Sequence, residues 1–388
     1  MSVTAPAGFR AAGVAAGLKA SGRPDVGLLV SDLPASAAGL FTTNAFAAAP
    51  VHACRGRLPS GRAGAVVVNS GQANAGTGPA GVTDAEAIAA GAAEALGITP
   101  DRVLPCSTGV IGARIPVHTA LAGVAMAAAN LAATEAGGDA FATAIRTTDR
   151  VSKQAAARGD GFVVGGCAKG AGMIAPDLAT LLVFLTTDAV AAPDAVRHAL
   201  REGAGPVWNA LTIDGCSSTN DTVLLLANGS SGIAPHPDEL AAVVAEASRD
   251  LALQVAADAE GATTTLVVHV DGATTDGQAR TVGRAVAGSL LVKTAVFGKD
   301  PNPGRILQAI GASGASFDGL DVTATLGGFP VVDAGSMPDG FDPAAFVEAL
   351  KEREVVIRIR LGNGAGTATA FGCDLGYEYV RVNSEYTT

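Results

Sequence analysis

The sequence has little with which to build an aromatic core. Its 388 residues include one tryptophan, three tyrosines and 12 phenylalanines. Alanine, valine, leucine and isoleucine must fill the interior, and 50 glycines let backbones approach closely. Charge is sparse as well, at 16% of residues, with Asp+Glu outnumbering Lys+Arg by 36 to 26. A net charge of −10 and the lack of any Lys/Arg cluster exclude nucleic acid as the main partner, because phosphate neutralisation needs a basic face. The five cysteines (Cys54, Cys106, Cys167, Cys216 and Cys373) are odd in number, scattered, and form no CxxC. That argues against a disulfide framework and a zinc site, and for a reducing compartment such as the cytoplasm. The five histidines are equally scattered, so no metal is expected. Met1–Arg10 has no apolar core, and no signal peptide is read. Two uncharged stretches, 33–54 and 115–134, are long enough to span a bilayer. Proline, asparagine and histidine interrupt both, and alanine gives little transfer energy into lipid, so both read as buried segments of a chain with no membrane partner.

What is present is enough for a large folded core. Hydrophobic residues are 48%, and the length suits one large domain with a smaller one. Short apolar runs at 26–30, 65–68, 181–185 and 223–226 read as buried strands, and 263–270 as a stronger one. Thr83-Asp84-Ala85-Glu86 has capping-box spacing and predicts a helix to Gly97. Further helices are expected over 121–133 and from Pro237 to near Gly261. Segments 355–361, 367–371 and 377–382 are expected to complete a small terminal sheet. The order is not a clean βαβ repeat. The expected class is therefore α/β (α+β), a layered sandwich of mixed sheets with outer helices. Gly and Thr cluster at 272–277, which places the division between residues 1–274 and a smaller C-terminal α+β domain, 275–388.

One stretch concentrates chemistry. Lys169-Gly170-Ala171-Gly172 runs through Met173-Ile174-Ala175 into Pro176-Asp177-Leu178-Ala179-Thr180, and an apolar, β-prone segment follows. An isolated Ala-Thr pair opening a strand is ordinary, but this one ends a glycine-rich loop that serves no repetitive structure. Such a loop can strain the Ala179 carbonyl for attack by the Thr180 hydroxyl. Cutting between Ala179 and Thr180 would free an α-amine with pKa near ~8, able to act as a base for the same hydroxyl. Gly170-x-Gly172-x-x-Ala175, with Asp188 beyond, also matches a dinucleotide fingerprint. That motif must open a helix, and Pro176 with the β-prone run opposes one. Cys106-Ser107-Thr108-Gly109 is a plain turn in outline, or an oxyanion hole if its hydroxyl and backbone N–H converge.

Taken together, these blocks closely resemble the ornithine acetyltransferase family, the bifunctional glutamate N-acetyltransferases of arginine biosynthesis. The likeness extends through Arg146-Thr147-Thr148-Asp149, Trp208 to Gly215, Ser218-Thr219-Asn220-Asp221-Thr222, Asp258-Ala259-Glu260-Gly261 and the tail Asn383-Ser384-Glu385-Tyr386-Thr387-Thr388. It runs from Thr4 to the last residue. Two departures are Pro303, where the family usually has tryptophan, and Gly76, where it commonly has cysteine.

The resemblance implies a self-processing enzyme with the layered fold of self-cleaving aminopeptidases. Thr180 would be the nucleophile and Ala179–Thr180 the cut bond. Thr108 and Gly109 would supply the oxyanion hole. Thr147, Lys169, Thr180, Glu260, Asn383 and Thr388 would bind substrate, with Lys169 suited to a carboxylate and Glu260 to an ammonium. The reaction implied is ping-pong transfer of acetyl from N2-acetyl-L-ornithine to L-glutamate, without metal or organic cofactor, by an assembly of two α and two β chains. Acetyl-CoA as a second donor stays open. So does an amidase or aminopeptidase reading with water as acceptor, and a silent binding protein keeping the fold.

Overall fold

The computed structural model describes residues 2–175 and 181–385. Its strands are β1 (Phe9–Val14), β2 (Val26–Phe41), β3 (Arg62–Gln72), β4 (Val103–Val110), β5 (Lys153–Arg158), β6 (Val163–Lys169), β7 (Leu182–Thr187), β8 (Thr222–Ala227), β9 (Thr265–Ala273), β10 (Thr323–Leu326), β11 (Phe329–Val332), β12 (Glu354–Arg360) and β13 (Gly366–Cys373). Among the described residues they form two mixed sheets. The larger has eight strands in the order β4-β3-β2-β8-β7-β6-β5, with β1 added on β2. The smaller has five, in the order β11-β10-β12-β9-β13.

The near-continuous apolar runs seen in the sequence are strands buried on both faces. In β7 and β8, Val183, Leu185, Val223 and Leu225 face one core with Trp208 and the helix Pro237–Ala257. Their neighbours Leu182, Phe184, Leu224 and Leu226 face another, where Phe141 meets Phe184 edge-on at 5.3 Å. That core also holds Leu29, Val66, Val68 and Leu104 of β2–β4, so the two halves of the larger sheet face each other across it with helices outside each half, giving the mixed, layered α/β sandwich that the element order implies. A further core lies between the smaller sheet and the helices Asp276–Gly288, Leu290–Gly298 and Gly304–Gly311.

Several elements differ from expectation for local reasons. The helix expected from Thr83 begins at Gly78, with Pro79 in its first turn. Thr83 is already inside it and donates to the Pro79 carbonyl, so there is no capping box. The helix expected over 121–133 runs Val117–Ala129, entered from Pro116 and stopped at Asn130. Segment 377–382 is not a strand but part of a helix, Tyr377–Glu385. The free edge of β13 is already taken, since Thr212 N donates to the Phe371 carbonyl at 2.9 Å and Phe371 N to that of Ala210 at 2.9 Å. Arg381 meanwhile pairs with Glu378 and Glu385 one turn away on either side, which favours helix. Strand β9 lies on the N-terminal side of the division expected after residue 274. It is nonetheless the strand between β12 and β13 in the smaller sheet, so the chain passes from one sheet's layer to the other between 257 and 265.

Candidate active site

The ends of β4 and β6, far apart in the strand order, are brought together where the two halves of the larger sheet face each other. Strands β3 and β4 run parallel, with Ser70 opposite Thr108 and Gly71 opposite Gly109. Gly109 has φ +133°, and a Cβ there would lie 2.3 Å from the Gly71 carbonyl carbon, so only glycine allows this approach. Strand β6 ends at Lys169, paired with Leu182 at the start of β7. Lys169 is buried, and its Nζ donates to Thr108 Oγ1 at 3.2 Å. The threonine oxygen thus serves as acceptor, and its own O–H remains free to donate elsewhere. Burial lowers the Lys169 ammonium below its ordinary range, opposed by Asp149 and Glu260.

A buried charge network fixes the neighbouring loops. Asp149 Oδ1 accepts from Lys153 Nζ at 2.6 Å and Gly170 N at 2.7 Å, and its Oδ2 accepts from Thr147 N at 2.9 Å. Lys153 also donates to Asp258 Oδ2 at 2.6 Å. Burial opposes ionisation of Asp149, but Lys153, Lys169 and the Thr147 N–H outweigh it and hold the carboxyl well below the usual range. One carboxylate therefore positions Thr147, the glycine after Lys169 and the lysine that links to Asp258.

The glycine-rich loop is held from the other side. Glu260 N donates to the Ala171 carbonyl at 2.8 Å, and a Cβ on Gly172 would lie 2.3 Å from Glu260 Oε2, so glycine at 172 makes room for that carboxylate. Met173 has φ +55°, a strained conformation for a side chain of its size. Asp214 holds it there, accepting from Met173 N at 2.6 Å and Ile174 N at 2.9 Å. The Tyr379 hydroxyl, on the terminal helix, donates to the same Asp214 at 3.1 Å. Asn383, one turn on, donates to Glu260 Oε2 at 2.9 Å. On the far side of the loop, Leu181 N donates to Asp221 Oδ1 at 3.0 Å. Burial pushes the Asp221 carboxyl well above the usual range.

Of the residues singled out in the sequence, Thr108 and Lys169 are in direct contact, as are Glu260 and Asn383. Gly109 and Thr147 line one cavity of about 670 Å³ with Lys19, Gln72, Arg381 and Val382. Ala179, Thr180 and Thr388 lie outside the described residues. Asp149, Asp214 and Asp221 were visible only as members of the Thr-Thr-Asp, Ile-Asp-Gly and Asn-Asp-Thr blocks. Nothing in the sequence alone marks them as anchors, because the loop residues they hold, Gly170, Met173, Ile174 and Leu181, lie 21 to 41 positions away in the chain.

Known proteins resemble this chain along its whole length. A family model described as the ArgJ family matches residues 10–388. The arginine biosynthesis bifunctional protein ArgJ of Thermobifida fusca is 47% identical over 389 residues, covering all of both chains. Its counterpart from Symbiobacterium thermophilum is 50% identical over 398 residues, covering all of this chain and 98% of its own. Among solved structures, an ornithine acetyltransferase from Mycobacterium tuberculosis, complexed with ornithine, is 50% identical. It covers 47% of this chain and 96% of that one, with a TM-score of 0.45. With full-length identity at this level, the chain belongs to the ArgJ family.

Proposed function

We propose that this protein is a self-processing acyltransferase of arginine biosynthesis. It moves the acetyl group of N2-acetyl-L-ornithine to L-glutamate through an acetyl ester on Thr180. The observation that carries the reading is the bond from Lys169 to Thr108 Oγ1, which turns the Thr108 hydroxyl into a donor at the strand edge where Leu181–Leu182 also begins. Chain cleavage after Ala179 gives Thr180 a free amine, which takes the proton of its own hydroxyl as that oxygen attacks the acetyl carbonyl. Thr108 O–H and Gly109 N–H donate to the oxyanion that forms. The tetrahedral intermediate collapses, ornithine leaves with the proton on its α-amine, and the acetyl ester remains. The amine of glutamate then attacks that ester, releasing N-acetylglutamate and restoring the hydroxyl.

Lys169 suits the substrate carboxylate, and Glu260, with Asn383 against it, suits an ammonium. Thr147 is held at the cavity wall by Asp149, and Thr388 is assigned to substrate with Asn383. These steps use only groups of the chain, so neither metal nor organic cofactor is part of the mechanism. Acetyl-CoA would enter only as a second acetyl donor. The relatives' arginine-biosynthesis role, together with five unpaired cysteines, supports a cytoplasmic enzyme. The two cleaved chains stay together and pair as two α and two β chains. Among the described residues no helix is long and apolar enough to cross a membrane.

Isotope exchange tests the proposal. Enzyme given N-acetylornithine and labelled ornithine, with no glutamate, should form labelled N-acetylornithine, because a ping-pong ester can return its acetyl group. Exchange that appears only when glutamate is added would refute the ester intermediate.

A further inference from the structure

One lysine at the wall of the cavity takes no part in the steps above. Lys19 lies in the turn between β1 and β2, and that turn is built on a single buried carboxylate. Asp25 accepts from the backbone N–H of Ala16 at 2.7 Å, Gly17 at 3.0 Å, Leu18 at 2.6 Å and Lys19 at 3.0 Å. Four charge-assisted bonds occupy both oxygens and fix the turn. Gln72 of β3 holds it from the other side, donating to the Leu18 carbonyl at 3.2 Å. The Lys19 ammonium donates to two backbone carbonyls, Pro24 at 2.8 Å and Arg146 at 2.6 Å. An ammonium carries three N–H donors, so one remains.

Lys19 borders the cavity that Gly109 and Thr147 line, and also an adjoining one of about 370 Å³ lined by Arg146 and Thr147. Burial brings its ammonium down to about 8, with Asp25 opposing and Lys169 adding to the fall. The other cations at this wall are less suited to discriminate. Arg381 is engaged by Glu378 and Glu385, and Arg146 by the carbonyls of Asp149 and Arg150. Arg23 is exposed, where a long flexible cation contributes little.

The donor and acceptor of the reaction differ most at the side-chain tip. Ornithine carries a cation there and glutamate an anion, while the amino-acid end is common to both. We propose that Lys19 recognises the side-chain carboxylate of the acetyl acceptor and makes the second half-reaction selective for an acidic amino acid. This rests on the acetyl-transfer reading above and adds a specificity residue to it.

The test compares glutamate with glutamine, its uncharged isostere, as acceptor for acetyl-enzyme made from N-acetylornithine. Wild type should prefer glutamate by at least ~10-fold in kcat/KM, as expected where a carboxylate meets a fixed donor. Lys19→Gln, which keeps a donor for the two carbonyls, should raise KM for glutamate by ~10-fold or more and move that for glutamine by less than ~3-fold. Lys19→Arg should restore part of the preference. Glutamate and glutamine moving together in Lys19→Gln would overturn the proposal. So would a wild type that accepts both equally, a comparison that needs no variant to fold. Ornithine release without acceptor is scored separately. Its absence in wild type would refute the acetyl-enzyme reading and this assignment with it, whereas release with no glutamate preference would refute Lys19 alone.

Discussion

At the scale of single residues, the site depends on polar groups whose partners are already assigned. Thr108 accepts from Lys169, which in the proposed mechanism leaves its hydrogen for the oxyanion. Thr108→Val should lower turnover by ~10²-fold or more, as for other lost oxyanion donors. It should also cost ~1–3 kcal/mol of stability, because the buried Lys169 loses an acceptor. Steady-state kinetics and a melting curve read the two effects apart, and unchanged turnover would make the Ser-Thr-Gly turn purely structural. Asp221 makes the opposite kind of prediction. Burial raises its folded-state pKa above the unfolded value of ~3.9, so the folded protein binds more protons across that window. Its contribution therefore falls as pH climbs from about 4 towards the folded value. Asp221→Asn should gain Tm over wild type as pH rises from 4 to 7, and a Tm difference independent of pH would contradict that. Thr108, Gly109, Lys169 and Glu260 were legible as members of recognisable blocks. Asp149, Asp214 and Asp221 stand in such blocks too, but their anchoring contacts were not legible, nor was Lys19, since a lone Lys or Asp in sequence looks like any solvated charge until the fold buries it.

At the scale of elements, local pattern gave the buried strands and misread the terminus. Residues 377–382 are rich in Tyr and Val as strands are, but the segment 210–212 already bonds to the β13 edge at Phe371, and Arg381 finds both its glutamates at helical spacing. The resulting helix puts Tyr379 on Asp214 and Asn383 on Glu260, with Arg381 and Val382 at the cavity wall. It thereby ties the C-terminus to the loop that precedes the expected cleavage point. Removing residues 383–388 should leave chain cleavage intact and raise KM for both substrates. It should also shift product from N-acetylglutamate towards free acetate, because acyl transfer to an amine needs an enclosed site. Measuring acetate against N-acetylglutamate for intact and truncated enzyme checks this. An unchanged ratio with unchanged KM values would exclude the tail from the pocket. A milder variant, Tyr379→Phe, removes one bond to Asp214 and should raise KM less than the truncation does.

At the scale of the whole molecule, two mixed sheets share the helix Pro237–Ala257 and the segment from Ala210 to Asp214, and Asp214 of that segment holds the loop that follows Lys169. The layered class was legible because strands and helices alternate irregularly, with apolar runs too continuous for one-sided sheets. The place where the chain changes sheets was not, since the Gly/Thr cluster at 272–277 marks the end of β9 and not the crossing before it. Nothing local distinguishes a strand that leaves a sheet from one that joins the next. The central claim spans the molecule, because Thr180 becomes a base-assisted nucleophile only when the chain is cut in two around a fold that stays intact. It is tested most directly by intact-mass spectrometry of purified protein, with and without N-acetylornithine and without glutamate. The account predicts two chains, the second starting at Thr180 and gaining one acetyl group when the donor is present, and one unmodified, uncut chain for Thr180→Ala. A wild-type protein that stays full-length, or a second chain that never carries acetyl, would contradict it.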